Sequence, residues 1–131
     1  MILADTTAWV EFIRDRQLST ADYMSKLLVV GMLATTEPVI MEVLAGARNA
    51  RHEGQLRNLL ASVELRSVEH LGSWESAARV YRSCRAGGFT PRSQLDCLIA
   101  AVAIREDIEV LHCDRDFDRI AEHTPLRIAP V

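Results

Sequence analysis

The sequence predicts an α/β fold with a mainly parallel sheet. Short apolar runs of strand length alternate with longer segments whose apolar residues recur at helical spacing. The clearest case is residues 93–120, where an alanine-rich helix leads into a short apolar strand and then into several aspartates. Such alternation is typical of parallel strands joined by helical crossovers. No internal repeat, low-complexity segment or linker interrupts the 131 residues, so we expect one domain, 1–131.

The first half of the chain contains two predicted strands and four predicted helices. The strands are 1–4 and 34–36, and the helices are 8–14, 21–33, the segment after Thr36, and 49–61. Asp5 or a neighbouring threonine can cap the first helix. Thr36 is expected to cap the third, with Pro38 in the first turn, where a missing N–H is harmless. In the second helix we expect these residues to face inward: Leu27, Leu28, Val30 and Met32.

The second half contains two predicted strands, a last edge strand and three predicted helices. The strands are 63–68, 109–113 and 127–129, and the helices are 71–85, one that starts after Ser93, and a short one after Asp114. Pro91 keeps the preceding residue extended, so 89–92 is a loop. Ser93 and Asp96 resemble a capping box with a shorter acid than usual. The buried face of helix 71–85 is expected to consist of Trp74, Ala77, Ala78 and Tyr81.

Composition describes an ordinary globular chain. It is 49% apolar and 25% charged, with a net charge of −3, which argues against a protein that coats nucleic acid non-specifically. The three cysteines have no metal-like spacing, and we expect free thiols in a reducing cytoplasm. No apolar run approaches the ~20 residues that span a bilayer, and Met1 leads directly into a strand, so we expect neither a signal peptide nor a membrane partner.

Two acidic residues of the first half lie in apolar surroundings. Asp5 directly follows a strand, where it either caps a helix or faces the ligand crevice that open α/β sheets form at strand ends. Glu42 lies in the run VIMEVLA, with Val39 and Val43 on its own helical face. It is either a side chain extending from the rim of the core or a carboxylate that is paired or bound to a metal.

Two more acids come from residues 93–120. Asp96 lies at a helix start and Asp114 directly after a strand, and a tight connection between the two elements can bring them together. Four carboxylates in one cleft repel each other unless a cation neutralises them, and oxygen ligands favour Mg²⁺ or Mn²⁺. Such sites hydrolyse phosphodiesters. We therefore expect Asp5, Glu42, Asp96 and Asp114 to converge on one metal site.

Other chemistries fit less well. The alternating acids at 114, 116 and 118 lack the glycine and glutamate of a calcium-binding EF-hand loop. Gly87-Gly88 lacks the lysine and spacing of a phosphate-binding loop. The four histidines are scattered without zinc-helix spacing, and no serine or cysteine lies in a nucleophile elbow.

The same acids resemble the PIN-domain family. The resemblance rests on Asp5 after the first strand, Glu42 in its apolar helix, and FTPRSQLDCLIAAVAI followed by VLHCDRDFDRIA. It runs from Met1 to the C-terminus and within the family is similar to the VapC toxins of bacterial VapBC systems. It implies a three-layer α/β/α fold and cleavage of RNA, such as tRNA or another structured RNA, with Mg²⁺ or Mn²⁺. It also implies a cognate VapB antitoxin and a homodimer, alone or within a toxin–antitoxin hetero-oligomer.

Matched residue by residue, the family's acidic quartet falls on the four acids already named, with Asp116 as a further metal ligand. As a hypothesis, Asp5, Asp96, Asp114 and Asp116 bind metal, and cleavage leaves a 3′-hydroxyl and a 5′-phosphate. Arg92 and Arg115 either contact flanking phosphates or pair with the acids.

Several neighbouring residues are given smaller roles. His112 stands where many members have Ser or Thr, and we expect it to be a strand-end residue with a satisfied side chain. Thr6 and Thr7 are candidates for orienting Asp5 or a metal-bound water. Asp118 is expected to be a surface charge.

Two other functions stay open. A metal-dependent phosphatase or phosphoryl-acceptor domain also gathers aspartates at strand ends, but it needs a lysine near the phosphate, and Lys26, the only lysine, lies in a predicted surface helix. A catalytically weak PIN binding module is the second alternative, against which the intact acids argue. Candidates for an antitoxin-docking surface, which would equally serve an ordinary core, are Trp9, Phe12, Leu27 and Leu28.

Overall fold

The computed structural model describes residues 1–14 and 19–131. Its four strands are Ile2–Ala4 (β1), Leu33–Thr35 (β2), Glu64–Leu65 (β3) and Glu109–Leu111 (β4). Its seven helices are Thr6–Ile13 (α1), Ser19–Val30 (α2), Glu37–Ala45 (α3), Ala50–Ala61 (α4), His70–Ala86 (α5), Gln94–Glu106 (α6) and Arg115–Ala121 (α7). Among these described helices, none combines the length and apolar composition needed to cross a membrane.

The four strands form one parallel sheet in the order β3-β2-β1-β4. The chain moves from β1 to β2 and β3 on one side, and β4 returns to the other side of β1. Ala4 pairs with Leu111, so β1 and β4 end side by side. This reversal of strand order opens a crevice at the carboxyl edge of the sheet. The predicted α/β/α fold with a parallel sheet is confirmed.

Three of the strands, β1, β3 and β4, are shorter than the sequence predicts, whereas β2 keeps its length and begins one residue earlier. The predicted strand 63–68 contributes only the two exposed residues of β3, and the predicted edge strand 127–129 makes a single isolated bridge between Val110 and Ile128. The alternation of apolar and polar residues therefore overestimated the length of the edge strands, where tertiary packing decides how far strand pairing extends.

Helix α6 is the most buried helix. Every residue from 97 to 103 is buried, and α6 packs against α5, α7, α3 and β4. Its small residues Ala100, Ala101 and Ala103 let backbones approach closely, as expected from the sequence. Cys84 and Cys97 are buried free thiols, and burial raises the pKa of Cys97 to about 12, so it is a neutral core residue.

The buried face of α5 differs from the prediction. Its inward residues are Ser73, Ala77, Val80 and Cys84, which share one helical stripe. Trp74 is 56% exposed and Ala78 is also exposed. The predicted stripe was chosen around the largest apolar side chain, whereas the helix turns its small residues towards α6.

The inward residues predicted for α2 are half correct. Leu27 is buried and Leu28 is half-buried, but Val30 and Met32 are exposed. The helix ends at Val30 because Gly31 adopts a φ of +72°, and the Met32 N–H then donates to the Leu27 carbonyl at 2.9 Å. This reversal turns the end of the predicted helix towards solvent.

We predict opposite effects of adding a methyl group at two glycines. A Cβ at Gly87 would lie 2.3 Å from His123 Nδ1, so Gly87→Ala should destabilise the fold by about 1–3 kcal/mol. A Cβ at Gly54, inside α4, meets nothing within 4 Å, so Gly54→Ala should stabilise it by roughly 0.5–1 kcal/mol. Thermal unfolding checks both, and adding His123→Ala to Gly87→Ala should recover stability. Equal melting temperatures for the two single variants would contradict the packing described.

Candidate active site

Asp5 is both a helix cap and a buried carboxylate of the crevice. It follows β1 in an extended conformation and accepts a hydrogen bond from the Ala8 N–H at 2.9 Å. Thr7 Oγ1 lies 2.8 Å from each carboxylate oxygen. The residue is 2% exposed, and this burial raises its pKa to about 6 although the hydrogen bonds from Ala8 and Thr7 act in the opposite direction.

Thr7 also joins the two strand ends. Its Oγ1 accepts a hydrogen bond from the Cys113 N–H at 2.8 Å while donating to Asp5. The Asp5 N–H donates to the Leu111 carbonyl at 3.0 Å. The expectation that Thr7 orients Asp5 is confirmed, and the same hydroxyl fixes the chain that leads to Asp114.

Glu42 enters the crevice from α3. Its Oε1 accepts a hydrogen bond from Thr6 Oγ1 at 2.8 Å, and its helical neighbours Val39 and Val43 are buried. Thr6 therefore orients Glu42 rather than Asp5. The half-buried carboxylate lies beside the core, as its apolar flanks predict.

Asp96 is held in the first turn of α6. The N-cap residue Ser93 makes no side-chain capping hydrogen bond, so the predicted capping box is wrong. Burial, together with the charges of the four other acids of the crevice, raises the pKa of Asp96 to about 7; in order of effect these acids are Asp5, Asp114, Glu42 and Asp116. All four acids therefore lie close enough to Asp96 to repel its charge.

Asp114 and Asp116 complete the crevice. Asp114 caps α7 by accepting a hydrogen bond from the Asp116 N–H at 3.1 Å, and Asp116 is buried. One oxygen from each of Asp96, Asp114 and Asp116 lies within 4.8 Å of the others. Three hard oxygen donors, one of them buried, with two more acids nearby, fit a divalent cation.

Arg92 covers this group of acids from the loop before α6. Its Nη2 donates to Asp114 at 3.1 Å and its Nε to Asp116 at 3.0 Å, and these pairings raise the pKa of the guanidinium. The side chain is 74% exposed, so the pairing is solvent-screened and easily exchanged. Arg115 is exposed on α7 and forms no ion pair with any residue in the two described ranges.

His112 supports the turn after β4. Its Nδ1 accepts a hydrogen bond from the Asp114 N–H at 3.0 Å, which leaves Nε2 as the protonated nitrogen that faces Asp118 Oδ1 at 3.0 Å. Its ring packs 5.5 Å from that of Phe117. His112 is thus a satisfied strand-end residue, as expected. Asp118 is an exposed residue, as expected, but its pairing with His112 had no sequence signal.

The chain matches known proteins over nearly its whole length. The PIN domain model matches residues 2–123. Two relatives are each 40% identical over 131 residues, covering 98% of both chains: the VapC ribonuclease Mb1587 of Mycobacterium bovis and the ribonuclease VapC11 of Mycobacterium tuberculosis H37Rv.

Solved structures share the fold at lower identity. VapBC2 from Rickettsia felis, bound to a DNA fragment from its promoter, has a TM-score of 0.78 at 16% identity and covers 98% of each chain. VapBC-1 from nontypeable Haemophilus influenzae has a TM-score of 0.75 at 18% identity, covering 98% of this chain and 97% of its own. The family match and the full-length identity lead to one conclusion: the chain belongs to the PIN-domain family, among the VapC ribonucleases.

Proposed function

We propose that this chain is an endoribonuclease toxin that hydrolyses RNA phosphodiester bonds with Mg²⁺ or Mn²⁺. The observation that carries the proposal is the convergence of Asp96, Asp114 and Asp116 within 4.8 Å, with Asp5 and Glu42 beside them. The VapC ribonucleases to which the chain is similar support the reaction class. We further propose that 1–131 act as one domain, because one continuous apolar core joins elements from both ends.

The proposed cation-binding site draws its ligands from several of these acids. Asp96, Asp114 and Asp116 are the proposed direct ligands, together with Asp5, whose buried side chain is fixed by Thr7 and Ala8. Glu42, held by Thr6, acts directly or through water. When bound, the cation polarises the scissile phosphate, lowers the pKa of water and stabilises the leaving oxygen.

The chain's own residues set the charge of the site. Burial and the charges of the four neighbouring acids raise the pKa of Asp96 to about 7, so without a cation its carboxyl group holds a proton at lower pH. Arg92 partly neutralises Asp114 and Asp116. Since a guanidinium and a cation would compete for these oxygens, Arg92 would be free, with the cation bound, to join Arg115 in contacting substrate phosphates. The products would carry a 3′-hydroxyl and a 5′-phosphate, and the substrate would be tRNA or another structured RNA.

A cognate VapB-type antitoxin is the proposed partner. Of the earlier docking candidates, Trp9 is 0% exposed and Leu27 is buried, so neither offers a surface. A groove of about 490 Å³ instead runs between α1, α3 and α4, with Val10, Ile13 and Leu56 among its apolar lining and Glu42 at the acidic site. An apolar antitoxin segment in this groove could place a basic side chain against Glu42. We also propose that the chain forms a homodimer, alone or within a toxin–antitoxin hetero-oligomer.

The alternative of a phosphatase or phosphoryl-acceptor site finds less support. Lys26 is exposed on α2, which packs against α1 and β2, and it pairs with none of the acids in the described part of the chain. A weak binding module would not need five acids around one point.

Asp96→Asn should lower RNA cleavage on the order of a hundredfold or more, because it removes one ligand charge while keeping side-chain size. The measurement is sequencing of RNA 5′ ends after induced expression, together with cleavage of total RNA by the purified protein. Asp118→Asn is the matched control: it lies outside the acid group, keeps an oxygen that can accept from His112, and should change the rate by no more than about twofold. Full toxicity and cleavage in Asp96→Asn would refute the assignment, and phosphate release with intact RNA would favour the phosphatase.

Cation binding should strengthen with pH. Because burial raises the pKa values of Asp5 to about 6 and Asp96 to about 7, the folded state holds protons that the unfolded state has lost. In EDTA these two groups therefore stabilise the fold at low pH, and this contribution is lost as pH rises from about 4 to 7. Added MgCl₂ or MnCl₂ competes with the same protons, so its stabilisation should grow over that range.

Differential scanning calorimetry at pH 5 to 8, with EDTA or with the metal salt, measures both effects. In Asp96→Asn the metal-induced rise in melting temperature should shrink most at high pH, whereas in Asp22→Asn, at an exposed position of α2, this rise should equal that of the wild type. A metal effect that is larger at pH 5 than at pH 8 would contradict the site.

Val10→Arg should abolish antitoxin binding while leaving RNA cleavage intact. Val10 lines the groove between α1, α3 and α4 but is half-buried and outside the apolar core, so a charge there blocks an apolar partner without opening the fold. Co-purification of the tagged chain with the small protein encoded beside it tests this. Val29→Arg, at an 86% exposed position on α2, is the control. Recovery of the partner by both variants would exclude this groove.

A further inference from the structure

A second groove, which the acidic site does not use, lies between α5 and the start of α6. It has a volume of about 670 Å³. We call it the arginine groove and define it by Trp74, Tyr81, Arg82, Arg85, Arg92 and Leu95. Trp74, Tyr81 and Arg85 recur at positions i, i+7 and i+11 of α5, so they follow one side of the helix over roughly 16 Å.

The charge of the arginine groove is opposite to that of the whole chain. Three guanidinium groups line it and, in the part of the chain that the structure describes, no acidic residue does, although the chain carries a net charge of −3. Arg82 and Arg85 are exposed on the helix surface. Arg92 pairs with Asp114 and Asp116. Arg82 and Arg85 form no ion pair with any residue that the structure describes, and exposed arginines without carboxylate partners attract phosphate groups.

The aromatic residues of the groove suit unpaired bases. Trp74 is 56% exposed on an otherwise regular helix, and the Arg85 guanidinium lies 5.6 Å from the centre of the half-buried Tyr81 ring. Exposed aromatic faces beside arginines bind single-stranded nucleic acid by stacking on bases while the cations contact the backbone. In a duplex the bases are already stacked, so these faces favour unpaired RNA.

The arginine groove is continuous with the acidic site through Arg92. This residue lines the groove and also donates hydrogen bonds to Asp114 and Asp116. Leu95, on the groove wall, directly precedes Asp96. The backbone of a polynucleotide lying in the arginine groove would therefore reach the carboxylates of the acidic site.

We propose that the arginine groove binds a single-stranded stretch of the RNA substrate next to the cleaved bond. Arg82 and Arg85 contact its phosphates and Trp74 stacks on a base. This inference rests on the proposed ribonuclease function, because it places the substrate of that same site. It also separates two routes to the acids, since the proposed antitoxin would approach along the groove that contains Val10.

The experiment measures binding of a labelled single-stranded RNA of about 12 nucleotides to the full chain in EDTA, by fluorescence anisotropy at several salt concentrations. The Arg82→Ala/Arg85→Ala variant should bind more weakly and lower the slope of log affinity against log salt by about 1.4. Trp74→Ala should weaken binding at least about fivefold. Arg79→Ala is the matched control, because it removes an exposed arginine of the same helix that lies outside the arginine groove.

Tryptophan fluorescence gives an independent readout. The chain has two tryptophans, and Trp9 is fully buried, so quenching by RNA reports contact with Trp74. Quenching in wild type and in Arg79→Ala, with much less quenching at the same RNA concentration in Arg82→Ala/Arg85→Ala, is the expected result. The same RNA as a duplex should bind more weakly than the single strand.

Unchanged RNA affinity in the groove variants would overturn the proposal. So would a groove variant that keeps its RNA affinity but dissociates into monomers or loses the antitoxin, since the groove would then be a protein interface. The ribonuclease proposal is tested separately. Wild type that binds RNA here but cleaves none would refute the ribonuclease, whereas normal cleavage with unchanged affinity in Arg82→Ala/Arg85→Ala would refute only the groove.

Discussion

Repulsion among carboxylates is the constraint on which the rest of the site depends. Asp96 is surrounded by four other acids, and burial together with their charge raises its pKa to about 7. Such carboxylates would move apart unless the fold held them in place, and they would remain protonated unless a cation neutralised their charge. The hydrogen bonds of Thr6, Thr7 and the Ala8 N–H hold individual acids in place. The protein's own hydrogen bonds therefore hold these acids together in the crevice.

The sheet and α6 supply the rigidity that this repulsion requires. β1 and β4 end side by side, and Thr7 bridges from Asp5 to the chain after β4. Helix α6 carries Asp96 just before seven consecutive buried residues, so the backbone that positions this carboxylate is fixed in the core. Arg92, in contrast, is exposed and movable. The acids are fixed and the positive charge beside them can be exchanged, which suits the proposed binding of a cation and a phosphate.

Features of the fold and the site could be predicted where their signal comes from residues that are neighbours in the sequence. Asp5 and Asp114 follow apolar strands and Asp96 starts an apolar helix, so alternation of elements and the family resemblance together identified the acids. Partners far apart in sequence left no such signal: Thr7 meets the Cys113 N–H across 106 positions. The exposed Trp74 was misassigned for a related reason, because helical periodicity defines a stripe but tertiary packing decides which stripe faces inward.

The side chain of Asp5 meets two requirements, one of folding and one of chemistry. Its carboxylate begins α1 as an N-cap and also belongs to the acidic crevice. Serine, threonine or asparagine would serve a helix start about as well but would carry no charge, and glutamate would carry the charge on a longer side chain that caps less well. Aspartate alone meets both requirements in full. A descendant that had abandoned its chemistry would still need a capping residue at this position, but an uncharged one would be sufficient, so an aspartate retained here reflects the need for a charge and not only for a helix start.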